Sequence, residues 1–202
     1  QKMAEIVSSP ETYPVFEANE DNATVRYTGI APYTSEFDNA NYTESSFTTG
    51  SYKLTEQMIK MMVIKDATNA NVDLYTDPRL PIIGRKKREY WAGTIAGAAM
   101  GEESNNGDKN AAYLNYKVLC RNNSDEWFMD YAEVEFILAE AALKGLIPGG
   151  EAVAKAHYEK AITASLQKWS DFASPVDPTL AITAEGIQTF LNSSLASWDQ
   201  AT

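Results

Sequence analysis

The stretch "DEWFMDYAEVEFILAEAALKG", residues 125–145, limits the possible folds more than any other part of the chain. At helical spacing, Tyr131, Val134, Leu138, Ala141 and Ala142 form one apolar face, and Ala132, Phe136, Ala139 and Leu143 form a second. Glu133 and Glu140 fall on the stripe between them. A helix oily on two flanks needs a neighbour on each. The first follows the turn "GLIPGG": in "EAVAKAHYEKAITASLQKW", Ala154, Tyr158, Ala161, Ile162, Ser165 and Trp169 share one stripe, with residues small enough for close helix approach. The pattern predicts a helical hairpin over 128–169, in which 128–144 is largely buried and antiparallel to 151–168. One hairpin cannot cover both of its own faces, so it reads as one unit of an array.

The acids in this helix raise the question of chemistry. Glu133 and Glu140 are seven residues apart, roughly 10.5 Å along the axis, too far to share a metal. The single histidine, His157, has no glutamate three residues before it, so the usual metal motif of helix bundles is missing, and it is expected to pack in the hairpin or at the surface. One cysteine, Cys120, makes neither an internal disulfide nor a zinc site. A glycosidase pair, with carboxyls about 5 to 9.5 Å apart, is not ruled out by spacing, but nothing marks a second catalytic component. The reading is therefore structural: Glu133 and Glu140 are expected to bond within the helical body, Glu140 to Lys144 one turn on. No catalytic residue, metal ligand or cofactor motif is assigned.

Elsewhere, 44% hydrophobic residues over 202 positions suffice for a sizeable core. Residues 10–50 read as loops, with a possible strand in "TVRYTGI". In "SYKLTEQMIKMMVIKD", Leu54, Met58, Met61 and Met62 define an amphipathic helix with Ser51 as N-cap, its methionines core filler rather than a binding surface. In "TDPRLPIIG" two prolines forbid a helix and Asp77 is placed to brace a turn. Residues 84–110 form a long loop, "AAYLNYKVLC" a returning strand, and Trp127 and Trp169 sit at helix ends in the core. The formal charge of -11 repels nucleic acid and anionic membrane surfaces, which makes "GRKKRE" a solvated loop. Asn22, Asn41, Asn122 and Asn192 head sequons of the kind a chain rich in Asn, Ser and Thr produces by chance. Both termini read as cuts: one begins like the tail of a helix, and the other stops just after one.

"DYAEVEFILAEAALKG", the glycine turn and "AHYEKAITASLQKW" resemble the tetratricopeptide-like hairpin of SusD/RagB-type outer-membrane nutrient-binding lipoproteins. "LYTDPRLPI" is similar to that family's Asp-Pro-Arg segment, and the order of motifs and the long loop between them agree over about residues 45–170. The resemblance implies a mainly α fold, a SusD-like array of tetratricopeptide-like hairpins with loop-rich excursions and a few short strands. The chain would be a single fragment, 1–202, of such a domain.

The resemblance also implies a function without covalent chemistry: binding a glycan or similar oligomer at the cell surface and passing it to a TonB-dependent, SusC-like transporter in the outer membrane. The only membrane tie would be a lipid anchor absent from this chain. Sugars need flat apolar surfaces rimmed by amide and charged groups. Tyr90, Trp91, Asn105, Asn106, Tyr113 and Tyr116 supply that mixture and are the candidate ligand-binding residues; the competing reading of Trp91, as an anchor of the loop on the body, is the stronger of its two. Two other readings stay open: a glycoside hydrolase using the helix carboxylates, and a tetratricopeptide-like scaffold for peptides.

Overall fold

The computed structural model describes residues 2–48, 52–97 and 109–201. In chain order it contains α1 (Lys2–Ser8), β1 (Ala23–Val25), α2 (Glu44–Thr48), α3 (Glu56–Met62), β2 (Val63–Lys65), β3 (Asp73–Thr76), α4 (Leu80–Ile83) and β4 (Gly84–Arg85). These are followed by β5 (Tyr113–Leu114), α5 (Tyr116–Leu119), β6 (Glu126–Met129), α6 (Tyr131–Leu143), α7 (Gly150–Ala173), α8 (Ala184–Leu191) and α9 (Trp198–Ala201). The protein is mainly helical with a few short strands, as expected, and the strands pair antiparallel as β1 with β6, β2 with β3 and β4 with β5. Contacts divide the chain into two units: Gln1–Val25 with Asp125–Trp169 and Thr183–Thr202, and Arg26–Ser124 with Ser170–Ile182.

The first unit is built on α6 and α7. Contacts step backward along α7 as they advance along α6: Tyr131 and Ala132 cluster with Ala164, Glu135 meets Lys160 and His157, and Ala141 and Ala142 cluster with Ala154. This is the antiparallel hairpin predicted from the two stripes. The start of α6 is capped from a distance. The Asn22 Oδ1 accepts the Tyr131 N–H at 2.6 Å, while the neighbouring Asp130 carboxylate pairs with Lys168. At the other end Gly145, at φ +67°, lets the chain reverse, with Leu146 N–H donating to Ala141 O (2.8 Å) and Gly145 N–H to Ala142 O (3.1 Å).

Three expectations for this unit need correction. Residues 128–144 are not largely buried as expected: on the second face of α6, Ala132 and Ala139 are buried, but Phe136 and Leu143 are 40% and 51% exposed, so the helix is covered fully on one side only. Glu133 and Glu140 are both exposed; Glu140 pairs with Lys144 as predicted, but no bond of the Glu133 side chain accompanies it among the described residues. The acid tied into the body is Glu135, 2% exposed, which meets His157 Nδ1 at 2.6 Å and Lys160 Nζ at 2.9 Å. Burial alone would raise its pKa, but the bonds from His157 and Lys160 outweigh that and hold it below the usual carboxylate range. Trp127 lies on β6 rather than at a helix end, half-buried with its ring 5.7 Å from that of Trp169. β6 interposes because its pairing with β1 takes the backbone bonds up to Met129, leaving the helix to begin at Tyr131.

The second unit has a core of Leu54, Ile59, Val63, Leu80, Trp91 and Ala112, against which Met58, Met62, Ile83 and Leu114 pack. Ser51 lies outside the described residues. The N-cap of α3 is Thr55, whose Oγ1 accepts the Met58 N–H, and the start at Glu56 turns Met58, Ile59 and Met62 inward and leaves Met61 70% exposed. The Asp77 carboxylate braces its turn by accepting the Arg79 N–H (2.9 Å) and guanidinium (2.6 and 3.0 Å). Contrary to expectation a helical turn, α4, follows, because Pro81 falls in its first turn, where a missing N–H costs no helical bond. The returning strand is only Tyr113–Leu114; Val118 and Leu119 then donate to Asn115 O and open α5. Phe37, Tyr42, Phe47, Tyr52 and Tyr116 form an aromatic cluster with centroids 4.8 to 6.1 Å apart. Burial, aided by Asp38, pushes the Cys120 thiol up to about 11, so it stays protonated at neutral pH.

Candidate functional site

The cavity that gathers the most candidate chemistry lies in the second unit, at the side of its core. It holds about 610 Å³ and is bounded by α3, β2, the Ala70–Asn71 turn, the 90–95 loop and Asn110. Its floor is apolar, from Ile59, Val63, Trp91 and Ile95, and its rim carries Glu56, Lys60, Lys65, Tyr90 and Asn110.

The loop is held by backbone bonds and by one carboxylate. Glu56 N–H donates to Thr94 O (2.8 Å), Thr94 N–H to Leu54 O (2.9 Å) and Ala112 N–H to Ala92 O (2.7 Å). Asp73, at the start of β3, accepts the Trp91 N–H at 3.0 Å and receives Lys65 at 2.6 Å and Lys86 at 2.7 Å, while Lys65 also donates to Trp91 O at 2.5 Å. Burial raises the Asp73 pKa, but these donors lower it further and leave it below the ordinary value, so the carboxylate is charged at neutral pH. At Gly93 the loop passes so close to the start of α3 that a Cβ would lie 2.4 Å from Thr55 C and Glu56 N.

These ties decide what the cavity presents. Lys65 is committed to Asp73, Glu56 pairs with Lys60 at 2.7 Å, and Arg88 Nε donates to Asn110 Oδ1 at 2.8 Å. The rim is therefore polar with its charges largely balanced, over an apolar floor. Tyr90 is half-buried with Lys65 Nζ 5.3 Å from its ring centroid, which leaves an aromatic edge at the opening. A flat, uncharged ligand with one apolar face fits such a surface.

The sequence candidates do not all meet here. Tyr90 and Trp91 line the cavity, but Trp91 is only 4% exposed and belongs to the core cluster. Tyr113 lies on β5 with Lys53 Nζ 5.7 Å from its ring, and Tyr116 joins the aromatic cluster and donates its hydroxyl to Tyr42 O at 3.1 Å; neither lines the cavity. Asn105 and Asn106 lie outside the described residues. The sequence reading missed Asp73 and Lys65, which position the loop, and Asn110, which lies at the rim. Strand position alone gives no sign of such roles. Among the described residues, no group of three His, Cys, Asp or Glu side chains is placed to hold a metal ion, and no helix is long and apolar enough to cross a membrane.

A family model described as SusD-like, starch-binding associating with outer membrane, matches residues 1–202. Solved structures of similar fold include a SusD homolog from Bacteroides fragilis NCTC 9343, at 23% identity and TM-score 0.67, with 95% of this chain and 40% of that one covered. An outer-membrane protein from Bacteroides vulgatus ATCC 8482, whose description connects it with nutrient binding, matches at 20% identity and TM-score 0.68, covering 98% of this chain and 43% of that one. A chitin-binding protein matches at 18% identity and TM-score 0.58, covering 95% and 42%. The chain thus spans less than half the length of these relatives, and the likeness is one of fold. None of the curated proteins matches the chain.

Proposed function

The chain belongs to the SusD-like family, and from that premise we propose that it forms part of a protein that binds a glycan or related oligomeric nutrient at the surface of the outer membrane. The protein would be tethered by a lipid anchor and would deliver its ligand to a TonB-dependent, SusC-like transporter without altering it covalently. The observation that carries this reading is the cavity of about 610 Å³, with an apolar floor, an aromatic edge at Tyr90 and rim charges paired with each other or with Asp73 behind the rim. Such a surface suits the apolar face of a pyranose, with Asn71, Asn110 and the paired rim groups left to meet hydroxyls.

Calorimetric titration with maltoheptaose and with chitin hexasaccharide, beside chromatography of the sugar after overnight incubation, tests this reading. Saturable heat with the sugar recovered intact is expected for at least one of them. Shortened products would move the protein to the hydrolase class. Saturable binding of unstructured peptides with no response to either sugar would favour the scaffold reading. The transporter step is tested separately, by co-purification of a TonB-dependent barrel with the full-length tagged protein from its native membrane.

A further inference from the structure

A second cleft in the same unit, of about 520 Å³, is lined by Thr76, Arg85, Lys86, Asn115, Asp177 and Thr179, with Pro81, Leu180 and Trp91 among its apolar parts. Its charge balance differs from that of the first cavity. Lys86 holds only one oxygen of the Asp73 carboxylate, whose other oxygen is taken by Lys65 of the first cavity, so Lys86 is only partly neutralised. Arg85, exposed on β4, has a guanidinium with no hydrogen bond or ion pair among the described residues. The one carboxylate in the lining, Asp177, is already engaged, accepting Thr179 N–H at 3.0 Å and Thr179 Oγ1–H at 2.6 Å. It also lies within the fields of Arg85 and Lys117. The cleft is thus locally electropositive in a chain of net charge -11, with a free planar donor at its edge.

The wall of the cleft adds a second demand. Asn115 is 2% exposed, and its Nδ2 donates to Pro81 O at 3.0 Å, which fixes the orientation of the amide. Its Oδ1 is buried with no hydrogen-bond partner among the described residues. An unpaired buried acceptor is uncommon, because it forgoes water without compensation. Thr76, Thr179 and the Asn115 side chain make the rest of the wall polar, so a ligand matching the cleft carries an anionic group for Arg85 and hydroxyls for that wall.

We propose that this cleft binds a carboxylate-bearing sugar, with the carboxylate on the Arg85 guanidinium, Lys86 supplying long-range attraction and the sugar hydroxyls against the wall that contains Asn115. This rests on the reading of the protein as a glycan binder and extends it to a second, acid-selective site. A guanidinium takes a carboxylate in two parallel bonds, a geometry that a lysine cannot reproduce.

The test compares α-1,4-linked trigalacturonate with its methyl ester, which differs in charge and little else, by calorimetric titration of the full chain at low and at moderate salt. The acid is expected to bind at least about tenfold more tightly than the ester, the scale of one charge-assisted contact, and to weaken with salt. Arg85→Gln should bring the acid down to the ester's affinity and leave the ester unchanged; Arg85→Lys should recover only part of the difference. Arg85 is exposed, so a thermal melt within a degree or so of wild type is expected and shows that the variant is folded. Equal affinities for acid and ester, or an acid affinity indifferent to Arg85→Gln, overturns the proposal. If maltoheptaose or chitin hexasaccharide binds while trigalacturonate does not, this inference falls and the glycan-binding reading stands. If no saccharide binds, both fall.

Discussion

Replacing Trp91 with alanine separates its two possible roles more sharply than any other change. The ring is 4% exposed and packs in the cluster of Leu54, Ile59, Val63, Leu80 and Ala112, while its backbone is held by Asp73 and Lys65. Truncating a tryptophan so buried removes its transfer free energy and leaves a hole beside the existing cavity, a loss of about 3 to 5 kcal/mol. For a chain of this size each kcal/mol lowers the melting temperature by about 2 to 4 °C, so Trp91→Ala should melt roughly 6 to 20 °C below wild type. Tyr90, half-buried at the rim with its ring beside Lys65, should behave in the opposite way. Tyr90→Ala should lose about 1 to 3 kcal/mol of glycan affinity, the scale of one stacking side chain, with a much smaller change in melting. Differential scanning calorimetry of both variants, beside titration with whichever sugar the wild type binds, measures both quantities. If Trp91→Ala melted with wild type and lost affinity instead, the buried-anchor argument would be wrong and the ring would have to be reachable by ligand. If Tyr90→Ala left affinity intact, the cavity's aromatic edge would not be the stacking surface.

Gly93→Ala should lower the melting temperature even though alanine is the smallest possible addition, because its Cβ would meet backbone of Thr55 and Glu56 at 2.4 Å, and backbone cannot swing aside as a side chain can; a melt equal to wild type would show that the loop shifts freely. Asn22→Ala removes the acceptor for the first N–H of α6 and should cost about 1 kcal/mol by urea denaturation, whereas Asn122→Ala, which loses only a bond to Gly29 O at an exposed site, should cost less. Glu135 has a folded pKa below its unfolded value of 4.5, so its contribution is fully present above that value and is lost as pH falls through the folded pKa. Urea melts stepped downward from about pH 5 should therefore show wild type losing stability more steeply than Glu135→Gln, and parallel slopes would contradict the lowered pKa.

How much of this was legible in the sequence depended on the range of the interactions involved. The α6–α7 hairpin was readable because its information is local and periodic: alanines at helical spacing on two consecutive segments, separated by a glycine that takes a positive φ. The error over the glutamates arose within the same helix. Helical spacing sets Glu135 beside Tyr131, Leu138 and Ala142 on the buried side and Glu133 and Glu140 on the opposite side with Phe136 and Ile137, so the acid that meets a histidine and a lysine one helix away is the one on the apolar face itself. The cap of α6 was hidden for a similar reason: the local candidate, Asp130, is drawn to Lys168, and the acceptor comes from Asn22, more than a hundred residues earlier, brought alongside by the β1–β6 pairing. The prolines of "TDPRLPIIG" do not prevent α4, because the rule against helical proline applies to interiors, and a helix of four residues has no interior.

The site follows the same division, with a consequence for how its residues should be ranked. The two aromatic residues of "REYWAG" stand out by type, and type does not distinguish a ring that faces a ligand from one that fixes the loop carrying it. Here the two are adjacent: Trp91 is buried in the core and Tyr90 is half-buried at the rim. The residue that holds this arrangement is Asp73, whose carboxylate binds the Trp91 N–H and two lysines from separate segments. Removing its charge with Asp73→Asn would leave Lys65 and Lys86 facing each other without their shared anion, a loss larger than that of one surface ion pair because Asp73 is only 9% exposed at its side chain. The expected result is a lowered melt together with weaker binding in the fraction that remains folded, since the loop forms one wall of the cavity and bounds the electropositive cleft through Trp91. A variant that kept wild-type stability and lost only affinity would instead place Asp73 in direct contact with the ligand, and the pairing with Lys65 and Lys86 would then have to open on binding.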